Sequence, residues 1–143
     1  MENPLLLKNQ ICFPLYALSR EVIQHYRPFL DELDLTYPQY LVLMILWESQ
    51  PQTVNQLGEK LLLDSGTLTP LLKRLEAKGL LTRKRKAEDE RVVEISLTEA
   101  GQAMRSRAEE IPAKLMDAMG FTVEEMVELK QIVDKLLAKS SRS

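Results

Sequence analysis

Apolar residues recur along most of this chain at the three- and four-residue spacing of a helix face, and only between residues 80 and 97 does the pattern turn to that of strands. Ile11, Leu15, Leu18 and Val22 fall on one face of an N-terminal helix, which Pro28 should end or bend. A second helix opens at Thr36-Tyr37-Pro38-Gln39. The Thr36 hydroxyl can accept from the Gln39 N–H while the Gln39 side chain reaches back, and Leu35 and Tyr40 are placed as a hydrophobic staple. That helix continues through the apolar run to Trp47, with Met44, Trp47 and the leucines between them expected in the core.

Thr53-Val54-Asn55-Gln56 is another capping box and opens a short helix that ends before Leu63. Asp64 or Ser65 then caps a longer helix that runs through Lys78 and stops at Gly79. Two helices joined this tightly form a helix-turn-helix. Leu80 to Arg85 and Arg91 to Leu97 read as strands on either side of the polar segment Lys86 to Glu90, a hairpin with a charged tip. Two helices close the chain, one from Thr98 and one from Phe121, the latter with a Thr122/Glu125 capping box and a stripe of Leu129, Val133, Leu136 and Leu137. The expected fold is mainly α with a small β-hairpin wing: a winged helix-turn-helix with N- and C-terminal dimerisation helices. Residues 36–98 form the winged helix, and residues 1–35 and 99–143 form the dimerisation region of one chain, 1–143. The terminal stripe finds little core in a winged helix and should pack on the same stripe of a second copy, making a homodimer.

Composition narrows the function. A chain of 143 residues, 45% of them hydrophobic, is enough for one compact domain. The longest apolar run, Leu41 to Trp47, is far short of the roughly 18 residues that cross a bilayer, and the start Met-Glu-Asn-Pro is not a signal sequence. A cytoplasmic protein with no membrane partner is expected. One Cys and one His allow neither an intrachain disulfide nor a Cys/His zinc site, so no metal and no cofactor is expected. The net charge of -2 disfavours nucleic acid, but its distribution does not. From Lys73 to Lys86 seven bases face one acid, Glu76, so this segment carries +6 and the remainder -8. The positive charge covers the second helix of the helix-turn-helix and the first strand of the wing, the elements that would face double-stranded DNA. Ser65, Thr67, Thr69 and Lys73 are the candidates near the major groove, and Arg74, Arg83, Lys84, Arg85 and Lys86 are further DNA-binding candidates on the same helix and the wing. At its tip, Arg91 should enter a flanking minor groove with Asp89 orienting its guanidinium.

Asp64-Ser-Gly-Thr-Leu-Thr-Pro-Leu-Leu-Lys-Arg-Leu-Glu-Ala-Lys-Gly79, followed by Asp89-Glu-Arg-Val-Val-Glu-Ile-Ser-Leu-Thr98, resembles the MarR family of bacterial repressors. Leu7-Lys-Asn-Gln-Ile-Cys-Phe-Pro-Leu-Tyr16 and Leu35-Thr-Tyr-Pro-Gln-Tyr-Leu-Val-Leu43 resemble its organic-hydroperoxide-sensing subgroup in particular. The resemblance spans nearly the whole chain. It implies an obligate dimer that represses a peroxidase-type detoxification gene until a cysteine is oxidised. Cys12 falls on that reactive cysteine, and Tyr26 and Tyr37 on tyrosines that hydrogen-bond to it across the dimer interface. Tyr16 lies one helical turn beyond Cys12 on the same face. A thiolate is the species that attacks a peroxide, and phenol donors stabilise the charged form.

Pro14 departs from the family pattern and should remove a helical bond to the carbonyl of Gln10. Pro70 interrupts the presumed recognition helix, where Gly66 four residues back eases the ring's fit. His25 reads as an ordinary, partly exposed histidine. The expected function is therefore a DNA-binding repressor, not an enzyme, acting on a pseudo-palindromic operator, with an organic hydroperoxide and a small thiol as reactants at Cys12. Two alternatives carry over: a repressor of the same fold released by a small phenolic or drug-like ligand, with Cys12 incidental, and a thiol peroxidase using Cys12, which leaves the basic cluster without a purpose.

Overall fold

The computed structural model describes residues 3–140, and its contacts divide the chain into two compact units, Met1–Ile111 and Pro112–Ser143. In the first, a short 3-10 turn at Leu7–Asn9 precedes α1 (Cys12–Asp31), α2 (Tyr37–Glu48), β1 (Gln52–Thr53), α3 (Val54–Leu61), α4 (Ser65–Ala77), β2 (Leu81–Arg85), β3 (Val93–Leu97), α5 (Glu99–Ala103) and α6 (Arg105–Ala108). The local signals that specify helix starts all operate. Thr36 accepts from Gln39 N at 3.3 Å and Gln39 answers at 3.0 Å, and the Thr53/Gln56 box closes in the same way. Asp64, not Ser65, caps α4, accepting from Thr67 N at 2.7 Å.

Prolines behave less disruptively than their sequence positions suggest. Pro14 lies in the first turn of α1, where a backbone N–H would have no intrahelical partner, and Gln10 lies outside the helix. No helical bond to Gln10 is lost. Pro28 does not end α1 either: the helix runs through it to Asp31. The chain then turns through Asp34 in the left-handed region (φ 55°), with Leu35 N donating to Leu30 O at 3.0 Å, a Schellman-type stop. In α4 the helix likewise continues past Pro70.

Leu43, Leu46, Leu57, Leu68, Leu72, Leu75, Leu81 and Ile95 form the centre of the core, contributed by α2, α3, α4 and the sheet. Met44, expected there, is 42% exposed, because α2 is apolar nearly all round and its periodicity does not reveal which side meets the protein. Trp47 is half-buried and donates its indole N–H to Gly101 O at 2.9 Å. The sheet has three strands in the order β1-β3-β2, all antiparallel, with Leu81 opposite Leu97 and Arg85 opposite Val93. β1 was not foreseen: two residues offer no alternation to read, and they become a strand only by pairing with Glu94 and Ile95. The helix expected from Thr98 is broken into pieces. Thr98 caps α5 as anticipated, but α6 ends at Ala108, the carbonyl that Pro112 has no N–H to satisfy.

The second unit contains α7 (Ile111–Met119, its first residue in the first unit) and α8 (Val123–Ser140), separated by Gly120 at φ 69°. The Thr122/Glu125 box forms, at 2.9 and 3.1 Å. Along α8, Leu129 and Val133 are half-buried, whereas Val127, Ile132, Leu136 and Leu137 are exposed. No helix among the described residues is long and apolar enough to cross a membrane.

A candidate DNA-reading head and a divided redox site

The basic segment folds so that only part of it faces outward for binding. On α4, Ser65, Thr67, Lys73 and Arg74 are exposed and Thr69 is half-buried, while Leu68, Leu71, Leu72 and Leu75 turn into the core. On the wing, Lys84 and Arg85 are exposed and Lys86 is half-buried. Lys84 stands opposite Glu94 in the β2–β3 register, and Arg85 donates from Nη1 to Glu90 O at 2.8 Å. Arg83 is drawn inward: its Nε donates to Glu76 Oε1 at 3.2 Å and its backbone N–H reaches the same carboxylate. Its guanidinium thus staples the wing to α4. Lys78 also points away from this face, toward the α1–α2 turn.

At the wing tip Asp89 and Arg91 form a two-pronged pair. Arg91 donates through Nε at 3.0 Å and Nη2 at 3.2 Å to the two Asp89 oxygens, and its backbone N–H adds a third bond at 3.1 Å. These bonds, that from the Arg91 side chain first, hold the Asp89 carboxyl below the usual carboxylate range. The Arg91 side chain itself remains 90% exposed. A guanidinium already oriented and still in solvent loses little rotamer freedom when it meets a narrow groove.

The residues expected to sense peroxide fall into two groups. Cys12 is exposed at the first position of α1, near Phe13 and Leu15, which are also exposed. Tyr16, one turn on, is exposed and lies under the Arg20 guanidinium, 4.5 Å from its ring centre. Tyr26 and Tyr37 belong to a separate aromatic cluster: their ring centres are 4.8 Å apart, and Tyr40 completes it at 5.9 Å from Tyr26 and 6.3 Å from Tyr37. Sequence reading gave Tyr40 only as the staple partner of Leu35, although its spacing of three from Tyr37 places it on the same helix face as that tyrosine. Burial, reinforced by the neighbouring phenols of Tyr37 and Tyr40, pushes the Tyr26 hydroxyl up to about 12, and burial raises Tyr37 and Tyr40 as well. All three remain protonated donors at neutral pH, the form in which a phenol can bond to a thiolate. Tyr26 lies fourteen positions along α1 from Cys12, about 21 Å at the helical rise. Within one chain, therefore, the thiol cannot meet Tyr26. His25 bonds through Nδ1 to Glu21 O at 2.7 Å.

Residues 24–107 match the family described as transcriptional regulator SarA/Rot. The chain is 51% identical over 140 residues to the organic hydroperoxide resistance transcriptional regulator of Bacillus subtilis, covering 96% of this chain and 95% of that protein. Among solved structures it is similar to reduced AbfR bound to DNA, AbfR being a protein of Staphylococcus epidermidis, with 38% identity, 93% of each chain covered and a TM-score of 0.79. It is similar too to a MarR variant of Escherichia coli complexed with operator DNA, with 25% identity, 89% of this chain and 93% of that one covered, and a TM-score of 0.79.

Proposed function

The chain belongs to the MarR family of winged-helix transcriptional regulators, on the branch of the organic hydroperoxide resistance regulators, and from that premise we propose that Cys12 is the point at which peroxide acts. The protein is a DNA-binding repressor that works as a homodimer and leaves its operator when a cysteine is oxidised. The observation that supports Cys12 is the division of the redox residues: an exposed thiol and a protonated tyrosine pair, about 21 Å apart along α1. A two-fold dimer brings the thiol of one copy to the tyrosines of the other, so each sensor is built from both subunits.

The Cys12 thiolate attacks a hydroperoxide oxygen. The O–O bond breaks, the alkoxide leaves and is protonated to the alcohol, and Cys12 becomes a sulfenic acid. A small cellular thiol then condenses with it, releasing water and leaving a mixed disulfide, because the chain holds no second cysteine to form an internal one. The added bulk separates Cys12 from Tyr26 and Tyr37 of the partner copy. Those contacts set the relation between the two reading heads, and a coupling of roughly 3 kcal/mol cuts operator affinity more than a hundredfold. On the DNA side, Ser65, Thr67, Thr69, Lys73 and Arg74 of α4 read and grip the major groove. Lys84, Arg85 and Lys86 hold the backbone along the wing, Arg83 braces the wing on α4, and Arg91, held by Asp89, enters the minor groove.

Operator titration with and without cumene hydroperoxide plus a small thiol tests this, with intact-protein mass spectrometry on the same samples. Wild type should lose affinity as the Cys12 adduct appears, and Cys12→Ser should bind normally and ignore peroxide. Release of DNA from a protein whose Cys12 stays unmodified would remove the cysteine from the sensor and leave a ligand-released repressor in its place.

A further inference from the structure

We propose that Lys78, acting through Gln39, is the positioning residue that carries the state of the tyrosine cluster to the recognition helix; this rests on the peroxide-sensing reading above. Lys78 is the basic residue of the charged segment whose ammonium faces the α1–α2 turn. It donates to the Asp34 backbone carbonyl and, at 3.1 Å, to Gln39 Oε1, and it lies 3.7 Å from the Asp34 carboxylate. Gln39 is a polar side chain buried to 2% exposure. The same Oε1 accepts the Thr36 N–H, the bond that starts α2. One buried oxygen therefore joins the start of α2 to the end of α4.

Both ends of this link have functional weight. Tyr37 is the first residue of α2, between Thr36 and Gln39 in sequence, and its ring packs on Tyr26. A displacement of Tyr37 moves the turn of helix whose cap Lys78 grips. At the other end, the Lys78 N–H closes α4 on Arg74 O at 3.1 Å, so its backbone cannot move without the helix. α4 has thirteen residues, a rod of about 20 Å. A shift at its C-terminal end tilts the N-terminal end, where Ser65 and Thr67 lie exposed. Coupling of this kind needs a rigid element that two sites bias, and α4 is held by Lys78 at one end and by DNA at the other.

Lys78→Met keeps the aliphatic stem and removes the ammonium. The quantity to measure is the ratio of operator Kd after peroxide plus small thiol to Kd of the reduced protein, alongside the salt dependence of binding. The link predicts that the ratio falls about tenfold below the wild-type ratio while Cys12 is still modified to the same extent. A purely structural role, or a phosphate contact by Lys78, would weaken both states alike and leave the ratio at its wild-type value. The phosphate contact would in addition lower the salt slope by about one; either result overturns the proposal. Gln39→Glu keeps an acceptor oxygen for both Thr36 and Lys78 and should preserve the ratio, whereas Gln39→Met should reproduce the loss. If wild type shows no peroxide-dependent change while Cys12 is unmodified, the sensing reading itself fails and the link falls with it. A wild type that responds beside a Lys78→Met ratio that is unchanged overturns the link alone.

Discussion

Arg91 and Tyr26 are the side chains whose surroundings lead to the most direct tests of the proposed function. Arg91 is fixed by three bonds to Asp89, yet its tip is in solvent. Arg91→Ala should weaken operator binding more than about tenfold in a fluorescence-anisotropy titration, since both a groove contact and a phosphate-side charge disappear. An affinity equal to wild type would exclude Arg91 from the reading head. Tyr26 leads to a pH effect of known sign. Its hydroxyl has an ordinary value of 10.0 and a folded value of about 12. The unfolded chain releases the proton in that window while the folded chain keeps it, so stability is fully present below pH 10 and falls as pH rises toward 12. Tyr26→Phe should flatten this decline in denaturant melts taken across that range. These two residues were legible in sequence to different degrees. Asp89 and Arg91 are two positions apart and their pairing is local, whereas the Tyr26 environment is made by residues of another helix, where Tyr40 reads in sequence as a staple for Leu35 and not as a partner of Tyr26.

Among the elements, those started by local chemistry were the most readable. Thr36/Gln39, Thr53/Gln56 and Thr122/Glu125 each close the reciprocal bonds that their spacing offers. What the sequence hid depends on distant partners: β1 exists through β3, and Met44 is exposed because its neighbours along α2 fill the core. The end of α6 at Ala108 is local, set by Pro112, but the seating of α5 depends on a distant neighbour. Gly101 is seated so closely that a Cβ there would lie 2.0 Å from Leu80 O and 3.0 Å from the carbon of the same carbonyl. The Thr98 N–H donates to that Leu80 oxygen, and the Thr98 hydroxyl bonds Gly79 O at 2.6 Å. Gly101→Ala must push α5 off the sheet edge, and thermal melts should show a destabilisation of about 2–4 kcal/mol, comparable to overpacking with a lost cap. A melting temperature unchanged from wild type would show that the α5 contact is looser than its geometry.

For the whole molecule, the exposed apolar residues say what a single chain lacks. Ile11, Phe13 and Leu15 at the start of α1, and Val127, Ile132, Leu136 and Leu137 on α8, are large hydrophobic side chains left in water by each unit taken alone. Cover from a second copy removes that cost, so the unfolding midpoint should rise with protein concentration. A midpoint that stays constant over a hundredfold range of concentration would contradict the dimer as the folding unit. In the proposed sensor the pairing of Cys12 with Tyr26 came from the family resemblance and not from spacing, because the two lie fourteen positions apart along α1 and would need a second copy to meet.

Trp47, the one tryptophan of the chain, has its indole N–H tied to Gly101 O, fifty-four positions away. It is therefore an intrinsic optical gauge of the seam between α2 and α5. Its emission should follow the closure of that seam, since the wing and the tip of Arg91 lie on other elements. Operator binding titrated by tryptophan emission should leave the spectrum nearly unchanged, while loosening of α5, as in Gly101→Ala, should shift it to the red before the helical signal is lost. One chromophore thus separates fluctuations of the scaffold from events at the reading head.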